Sequence, residues 1–263
     1  MNKIVLYKVD AFTDTLFRGN PAAVCPLKNW LPDNVMQSIA SENNLSETAF
    51  FLLDDGEVLI RWFTPEVEIE LCGHATLASA HIIFNELEYK KEKLIFKTSF
   101  GEKIIVLKED NFFSMDFPSY PPEKSNFNLE TIKNVLGARP NEFFSGIYGL
   151  ATFNTEEEIT AISPKFELFK NLPFKGIIVS APGNNSDFVS RFFAPTLGIK
   201  EDPVTGSAHC LLIPYWYKRL KKKQMLAHQL SSRGGKLFCS YNQDRVRIGG
   251  NAVTFLKGEI ILT

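Results

Sequence analysis

Five residues have side chains able to move protons or bind oxygen at points where the chain breaks or turns: Glu47, Cys72, His74, Asp202 and Ser207. Glu47 stands in Ser46-Glu47-Thr48, after the polar break Asn43-Asn44 and before the apolar run Ala49 to Leu53. A carboxyl carried to the edge of an apolar layer loses water, which raises its affinity for a proton and suits it to acid/base work. By spacing alone, the same position reads more often as an ordinary strand-edge glutamate. His74 follows Gly73 at a turn, where it could donate to a bound oxygen or carry a proton. A lone histidine in a turn is more commonly structural, and no second His or carboxylate stands at metal-ligand spacing from it, so no metal is expected. Asp202, in Glu201-Asp202-Pro203, also suits a plain Asp-Pro turn, and Ser207 also suits a helix cap.

Cys72 raises a separate possibility. A two-base racemase needs two thiols, one on each side of its substrate. The position matching Cys72 in the second half of the chain is Thr205, and Cys210 falls about a turn and a half into the following helix. A two-cysteine mechanism is therefore not expected, and Cys72 reads as a packed thiol near the site.

The elements that must position these residues follow from pattern. Lys3 to Ala11 alternates as a strand, and Ala22 to Cys25 is a short apolar one after the turn Arg18-Gly19-Asn20-Pro21. Pro32 opens a helix with Val35, Met36, Ile39 and Ala40 on one face, ending at Asn43-Asn44. Ala49 to Leu53 and Val58 to Phe63 form a hairpin about Asp54-Asp55-Gly56. Ile69 to Leu71 reads as a strand, Cys72 to Ala75 as a turn, and Thr76 to Asn85 as a helix. Two strands lie around Phe100-Gly101, the stretch 117–128 is a linker candidate, Glu130 to Leu136 is helical, and Gly176 to Ala181 is a buried strand.

One unit recurs. Arg61-Trp62-Phe63-Thr64-Pro65 matches Arg191-Phe192-Phe193-Ala194-Pro195. Downstream lie Cys72-Gly73-His74-Ala75 and, three residues further on in the second copy, Thr205-Gly206-Ser207-Ala208. Each leads into an apolar helical stretch, Thr76 to Phe84 and His209 to Trp216. Two similarly built domains facing each other would set two helix starts across one cleft. Free first-turn N–H groups and the positive end of the dipole make such starts anion sites, and Gly73 and Gly206 let a ligand approach the backbone. A carboxylate or a phosphate satisfies the same physics.

The totals bound the partners. The 263 residues carry 29 Lys+Arg against 30 Asp+Glu, so no basic excess exists to neutralise nucleic acid. The cluster Lys218, Arg219, Lys221, Lys222 and Lys223 suits a helix C-terminus. Cys25, Cys72, Cys210 and Cys239 are widely spaced, which fits neither a disulfide scaffold nor a zinc motif. The start of the chain enters a strand pattern without the apolar core of a signal peptide, and no apolar run is long enough to span a bilayer. A cytoplasmic location, with no membrane partner, is the expectation.

The segments DAFTDTLFRGNPAAVCPL, ENNLSETAFF, FTPEVEIELCGHATLASAH, FFAPTLGIKEDPVTGSAHCLLIPYW, LSSRGGKL and RVRIGGNAVTFLKGEI together resemble, from about Val9 to Ile260 and in order, the phenazine-biosynthesis isomerase-like family. The resemblance implies an α/β (α+β) diaminopimelate-epimerase-like fold: two pseudo-symmetric domains, each a curved mixed sheet wrapped around a central helix. Domains are expected over 1–115 and 116–263, with the last strand near 255–263 a candidate to return to the first. The resemblance gives Glu47 the acid/base role and makes His74, Asp202 and Ser207 catalytic. It makes Asn20, Ser46, Gly73, Ala75, Gly206 and Gly234 substrate-binding. It implies no cofactor, a small carboxylate substrate and a homodimer. A cofactor-independent isomerase is the reading; the alternative is a non-catalytic anion-binding or interaction protein on the same fold.

Overall fold

A computed structural model describes residues 2–110 and 112–262. In chain order the elements begin with β1 (Asn2–Ala11), β2 (Asn20–Pro26), α1 (Asp33–Asn43), β3 (Glu47–Asp54), β4 (Glu57–Phe63), β5 (Glu68–Ile69) and α2 (Gly73–His81). Then come β6 (Lys93–Thr98), β7 (Lys103–Lys108), β8 (Phe113–Pro118), β9 (Glu123–Lys124), α3 (Leu129–Leu136), β10 (Glu142–Ser145), β11 (Gly149–Thr152) and α4 (Glu156–Ala161). The remainder is β12 (Ile177–Pro182), β13 (Phe188–Ala194), β14 (Ile199–Asp202), α5 (Gly206–Leu220), β15 (Gln224–Gln229), β16 (Gly235–Asn242), β17 (Arg245–Gly250) and β18 (Ala252–Leu262). Two compact units result, Met1–Asp116 with Gly249–Thr263, and Phe117–Ile248. None of the described helices is long and apolar enough to cross a membrane.

In the first unit β1 pairs antiparallel with β2, β2 parallel with β3, β3 antiparallel with β4, β4 parallel with β6, and β6 antiparallel with β7. The second unit repeats that alternation through β10, β11, β12, β13, β15 and β16. Each parallel step needs a crossover, and helices supply it: α1 and α2 in the first unit, α4 and α5 in the second. The first unit adds β18, which pairs antiparallel with β1 from Asn2↔Leu262 to Ala11↔Ala252.

The repeat extends to side chains. Arg61 grips Glu68 with Nε and Nη2 at 2.8 and 2.6 Å, seven residues on, and its guanidinium lies 5.2 Å from the Phe63 ring. Arg191 grips Glu201 at 2.8 and 3.0 Å, ten residues on, and lies 4.8 Å from the Phe193 ring. The three additional residues in the second copy are absorbed by a 3-10 turn, Pro195–Leu197, closed by Gly198 at φ 82°.

Helix α2 is buried all round, from His74 to His81, and touches β1, β2, β3 and β18. Its small residues, Ala75, Ala78, Ser79 and Ala80, let the strands close on it. The buried hydroxyls of Thr76 and Ser79 are satisfied by the carbonyls of Cys72 and Ala75, at 2.6 and 2.8 Å. Helix α5 is longer and contains Pro214, whose missing N–H leaves the Cys210 carbonyl without its helical donor. The N–H of Tyr120 takes that place at 2.9 Å, so the helix runs on without an orphaned acceptor. The cationic cluster begins in the last turn of α5, with Lys218 and Arg219, and Lys221 caps it in the left-handed conformation.

Candidate functional site

In the first unit, Glu47 is the first residue of β3 and His74 is the second residue of α2. Both are buried, at 7% and 6% exposure, and Nε2 of His74 lies 3.0 Å from Oε2 of Glu47. That is an ion-pair distance, yet neither atom makes a hydrogen bond of good angle among the described residues. We therefore take the contact as electrostatic, with unused directional capacity on both atoms. Glu47 is held in place from both sides: it pairs in register with Ala22 of β2, and the next residue, Thr48, accepts a hydrogen bond from the Asn43 side chain at 3.1 Å.

Cys72 is the N-cap of α2, extended at φ −141° and ψ 111°, and its sulfur lies 3.5 Å from Nδ1 of His74. The helix thus starts three residues earlier than its apolar periodicity predicts, because no side-chain cap marks the start. Gly73, His74 and Ala75 therefore form its first turn, whose N–H groups have no partner inside the helix. Asn20, fully buried at the start of β2, brings Nδ2 within 3.3 Å of the same Nδ1. An imidazolium carries N–H on both nitrogens, so a charged ring selects the amide orientation that turns Oδ1 toward it. Gly19, just before Asn20, has φ 65°, and a Cβ there would stand 2.1 Å from the Ala11 carbonyl oxygen. Ser46 lies half-buried in the bend before β3.

Burial works against a charge on His74, but Cys72 and Glu47 together hold its pKa well above the ordinary imidazole value. Burial, then the negative charge of Glu47, pushes the Cys72 thiol up.

In the second unit, Thr205 is the N-cap of α5, the position equivalent to Cys72, and Gly206 and Ser207 open its first turn. Ser207 is therefore not the cap; its hydroxyl lies 3.1 Å from that of Tyr148. Asp202, at the end of β14, accepts from the Thr205 hydroxyl at 2.5 Å. Gln229 locks this turn: Oε1 accepts from the Thr205 N–H at 2.9 Å, and Nε2 donates to the Asp202 carbonyl at 2.8 Å and to Thr205 Oγ1 at 3.1 Å. His209 donates from Nδ1 to the Thr205 carbonyl at 2.8 Å, as Thr76 does to Cys72 in the first unit. Ser231 donates to the Pro203 carbonyl at 2.8 Å and accepts from the N–H of Gly234, whose φ is 67°.

The structure thus gathers Glu47, His74, Asn20, Gly73 and Ala75 in one unit, and Asp202, Ser207, Gly206 and Gly234 in the other. Sequence reasoning missed Gln229, named Thr205 only as the counterpart of Cys72, and placed Cys72 near the site without giving its closeness to the Glu47–His74 pair. Chain spacing could not reveal that closeness, because Glu47 arrives on a different element.

The model of the phenazine biosynthesis-like protein family (PhzC-PhzF) matches residues 9–258. An uncharacterized isomerase of Pseudomonas aeruginosa is 45% identical over 262 residues, 99% of this chain and 100% of its own length. A crystal structure of a PhzF-family phenazine biosynthesis protein from Enterococcus faecalis superposes with a TM-score of 0.96 at 46% identity, covering 99% of this chain and 100% of that one. A hydroxyproline epimerase from Agrobacterium vitis, solved with trans-4-hydroxy-L-proline bound, shares the fold at a TM-score of 0.61 and 9% identity, over 98% of this chain and 92% of that one. The epimerase-like fold implied by the sequence resemblance is therefore the fold of this protein. With the paired carboxylate and imidazole, the duplicated helix starts and a family model spanning nearly the whole length, the chain belongs to the phenazine biosynthesis-like family.

Proposed function

We propose that this protein is a cofactor-independent isomerase or epimerase that moves a proton on a small carboxylate-bearing substrate, with Glu47 as the acid/base. The observation that carries this reading is the buried contact of Glu47 with His74, 3.0 Å apart, at the first turn of α2. A carboxylate in a dry site beside an imidazolium can take a proton from a carbon acid and return it elsewhere, while the neighbouring cation limits the cost of charge. The first-turn N–H groups at Gly73 to Ala75 and at Gly206 to Ala208 suit the carboxylate of the substrate. Ser207 and Tyr148 add hydroxyl donors, and Asp202 sets the turn ahead of α5. The isomerase name carried by the Pseudomonas relative and the epimerase fold support the same class of chemistry.

The test is deuterium uptake in heavy water, followed by NMR, from a panel of dihydro-hydroxyanthranilate, diaminopimelate, proline analogues and other amino acids. Uptake from one member should fall by about a hundred- to ten-thousandfold in Glu47→Gln, the usual worth of a positioned acid/base. Equal uptake in both proteins would remove Glu47 from the mechanism.

A further inference from the structure

Glu47, Cys72 and His74 contribute a carboxylate, a thiol and an imidazole from two elements, and one ligand atom from each lies within 4.8 Å of the other two. All three residues are more than nine-tenths buried. We propose that this trio is a binding site for a thiophilic divalent cation, zinc in the first instance, and that its occupancy switches the acid/base group off. The second half of the proposal rests on the isomerase reading of Glu47; the first half does not.

Three arguments converge. A tetrahedral zinc ion with ordinary bond lengths to sulfur, nitrogen and oxygen spaces those atoms about 3.3–3.6 Å apart. The sulfur of Cys72 is 3.5 Å from Nδ1 of His74 and the Glu47 oxygen is 3.0 Å from Nε2, so both donors already touch the ring from opposite nitrogens, and metal binding requires the Cys72 side chain to turn toward the Nε2 side. The donor set itself selects softer ions: thiolate with imidazole favours zinc over magnesium or calcium. The two atoms facing each other, Oε2 of Glu47 and Nε2 of His74, are buried without a directional hydrogen bond, the condition a ligand would relieve.

The surroundings also suit a metal-bound histidine. A ring nitrogen on the ion leaves the other to be oriented by an outer partner, and the Asn20 amide stands 3.3 Å from Nδ1 for that purpose. Three protein ligands leave a fourth position for water or a substrate carboxylate. Binding displaces the thiol proton of Cys72 and the imidazolium proton of His74 to solvent, and occupies the carboxylate that would accept a substrate proton. The thiol, packing only in the metal-free state, becomes the group that distinguishes zinc from a harder ion.

The test uses the full-length, metal-stripped protein and zinc alone, with competition against a chromogenic chelator to give stoichiometry and affinity. One ion per chain is expected. Cys72→Ser should weaken binding more than about a hundredfold, since even outer partners of metal ligands are worth 10–100-fold. Cys239→Ala should leave it unchanged. Cobalt provides a second readout that does not depend on affinity: a thiolate-to-metal charge-transfer band in the parent protein, absent in Cys72→Ser. Failure to bind a stoichiometric ion, or binding unchanged by Cys72→Ser, overturns the site. Deuterium uptake that persists with the ion bound overturns the switch. Uptake is measured separately on metal-free protein, so its absence there counts against the isomerase reading while zinc binding still decides the site.

Discussion

Gln229, almost fully buried at the end of β15, commits both ends of its amide to the turn before α5. Gln229→Leu would remove the acceptor of the Thr205 N–H and a donor to the Asp202 carbonyl, at about 1–3 kcal/mol for a buried group left unsatisfied. A lower urea midpoint for Gln229→Leu than for Gln229→Asn is expected; equal midpoints would mean that water replaces the amide. Nothing in the sequence marks this residue, because a glutamine at the end of a strand has no signature and its partners lie 24 and 27 positions away. Glu47 was legible only in part. The break before an apolar strand identified a carboxyl at the edge of a core, but its closeness to His74 depends on β3 and α2 being adjacent, which pattern alone does not give. A Gly19→Val variant should be strongly destabilised, by several kcal/mol, from a Cβ 2.1 Å from a backbone oxygen and a positive φ. Thermal unfolding of that variant checks it, and a loss under about 1 kcal/mol would show that the turn relaxes.

Among the elements, the two Arg–Glu clamps share a geometry but not a load. Arg61 also meets Asp33, whose side chain is largely exposed, whereas Arg191 also donates from Nη1 to the carbonyls of Ile159 and Ile162 at 3.1 and 2.8 Å, tying down the end of α4. Lysine cannot form the two-pronged contact, so both Arg→Lys variants should lose stability, Arg191→Lys by about 2–3 kcal/mol and Arg61→Lys by about 1. Chemical denaturation distinguishes the two, and the reverse order would contradict the assignment. Element boundaries were readable where a residue with special geometry ends them: α1 runs from Asp33, after Pro32, to Asn43, with Asn44 left-handed at φ 48°. They were not readable where such a residue is lacking. The π-helical segment Ile82–Glu86, in which the Leu87 N–H reaches back to the Ile82 carbonyl, continues α2 with no mark in its composition. The recurring arginine-aromatic-Phe motif, by contrast, was visible because both copies must feed the same clamp and the same helix start.

At the scale of the whole molecule, two buried histidines set the behaviour in acid. Burial pushes His81 and His209 from 6.5 down to about 4. A histidine with a lowered folded pKa is neutral in both states above 6.5, so its full stability is present there. As pH falls from 6.5 toward 4 the unfolded chain takes up the proton first and stability is lost, by about 3 kcal/mol per residue before levelling off. His74 has the opposite sign: its contribution is full below 6.5 and is lost as pH rises through its raised folded value, outside that window. Urea midpoints at pH 7, 5.5 and 4 should fall steadily, and His209→Gln, which keeps a donor for the Thr205 carbonyl, should flatten part of the slope. A variant with the parent slope would remove His209 from the account.

The pairing of β18 with β1 has a further consequence, in the order of synthesis. Every described residue of β1 has its partner among residues 252–262, which are made only after the whole of the second unit, since that unit lies between the two pieces of the first. At roughly 5–20 residues per second, the ribosome needs about seven to twenty-six seconds to make 117–248. During that interval β1 has β2 on one side and an open row of backbone donors and acceptors on the other. The later-made unit can therefore finish folding first, while the nascent earlier one is the species that most needs a chaperone.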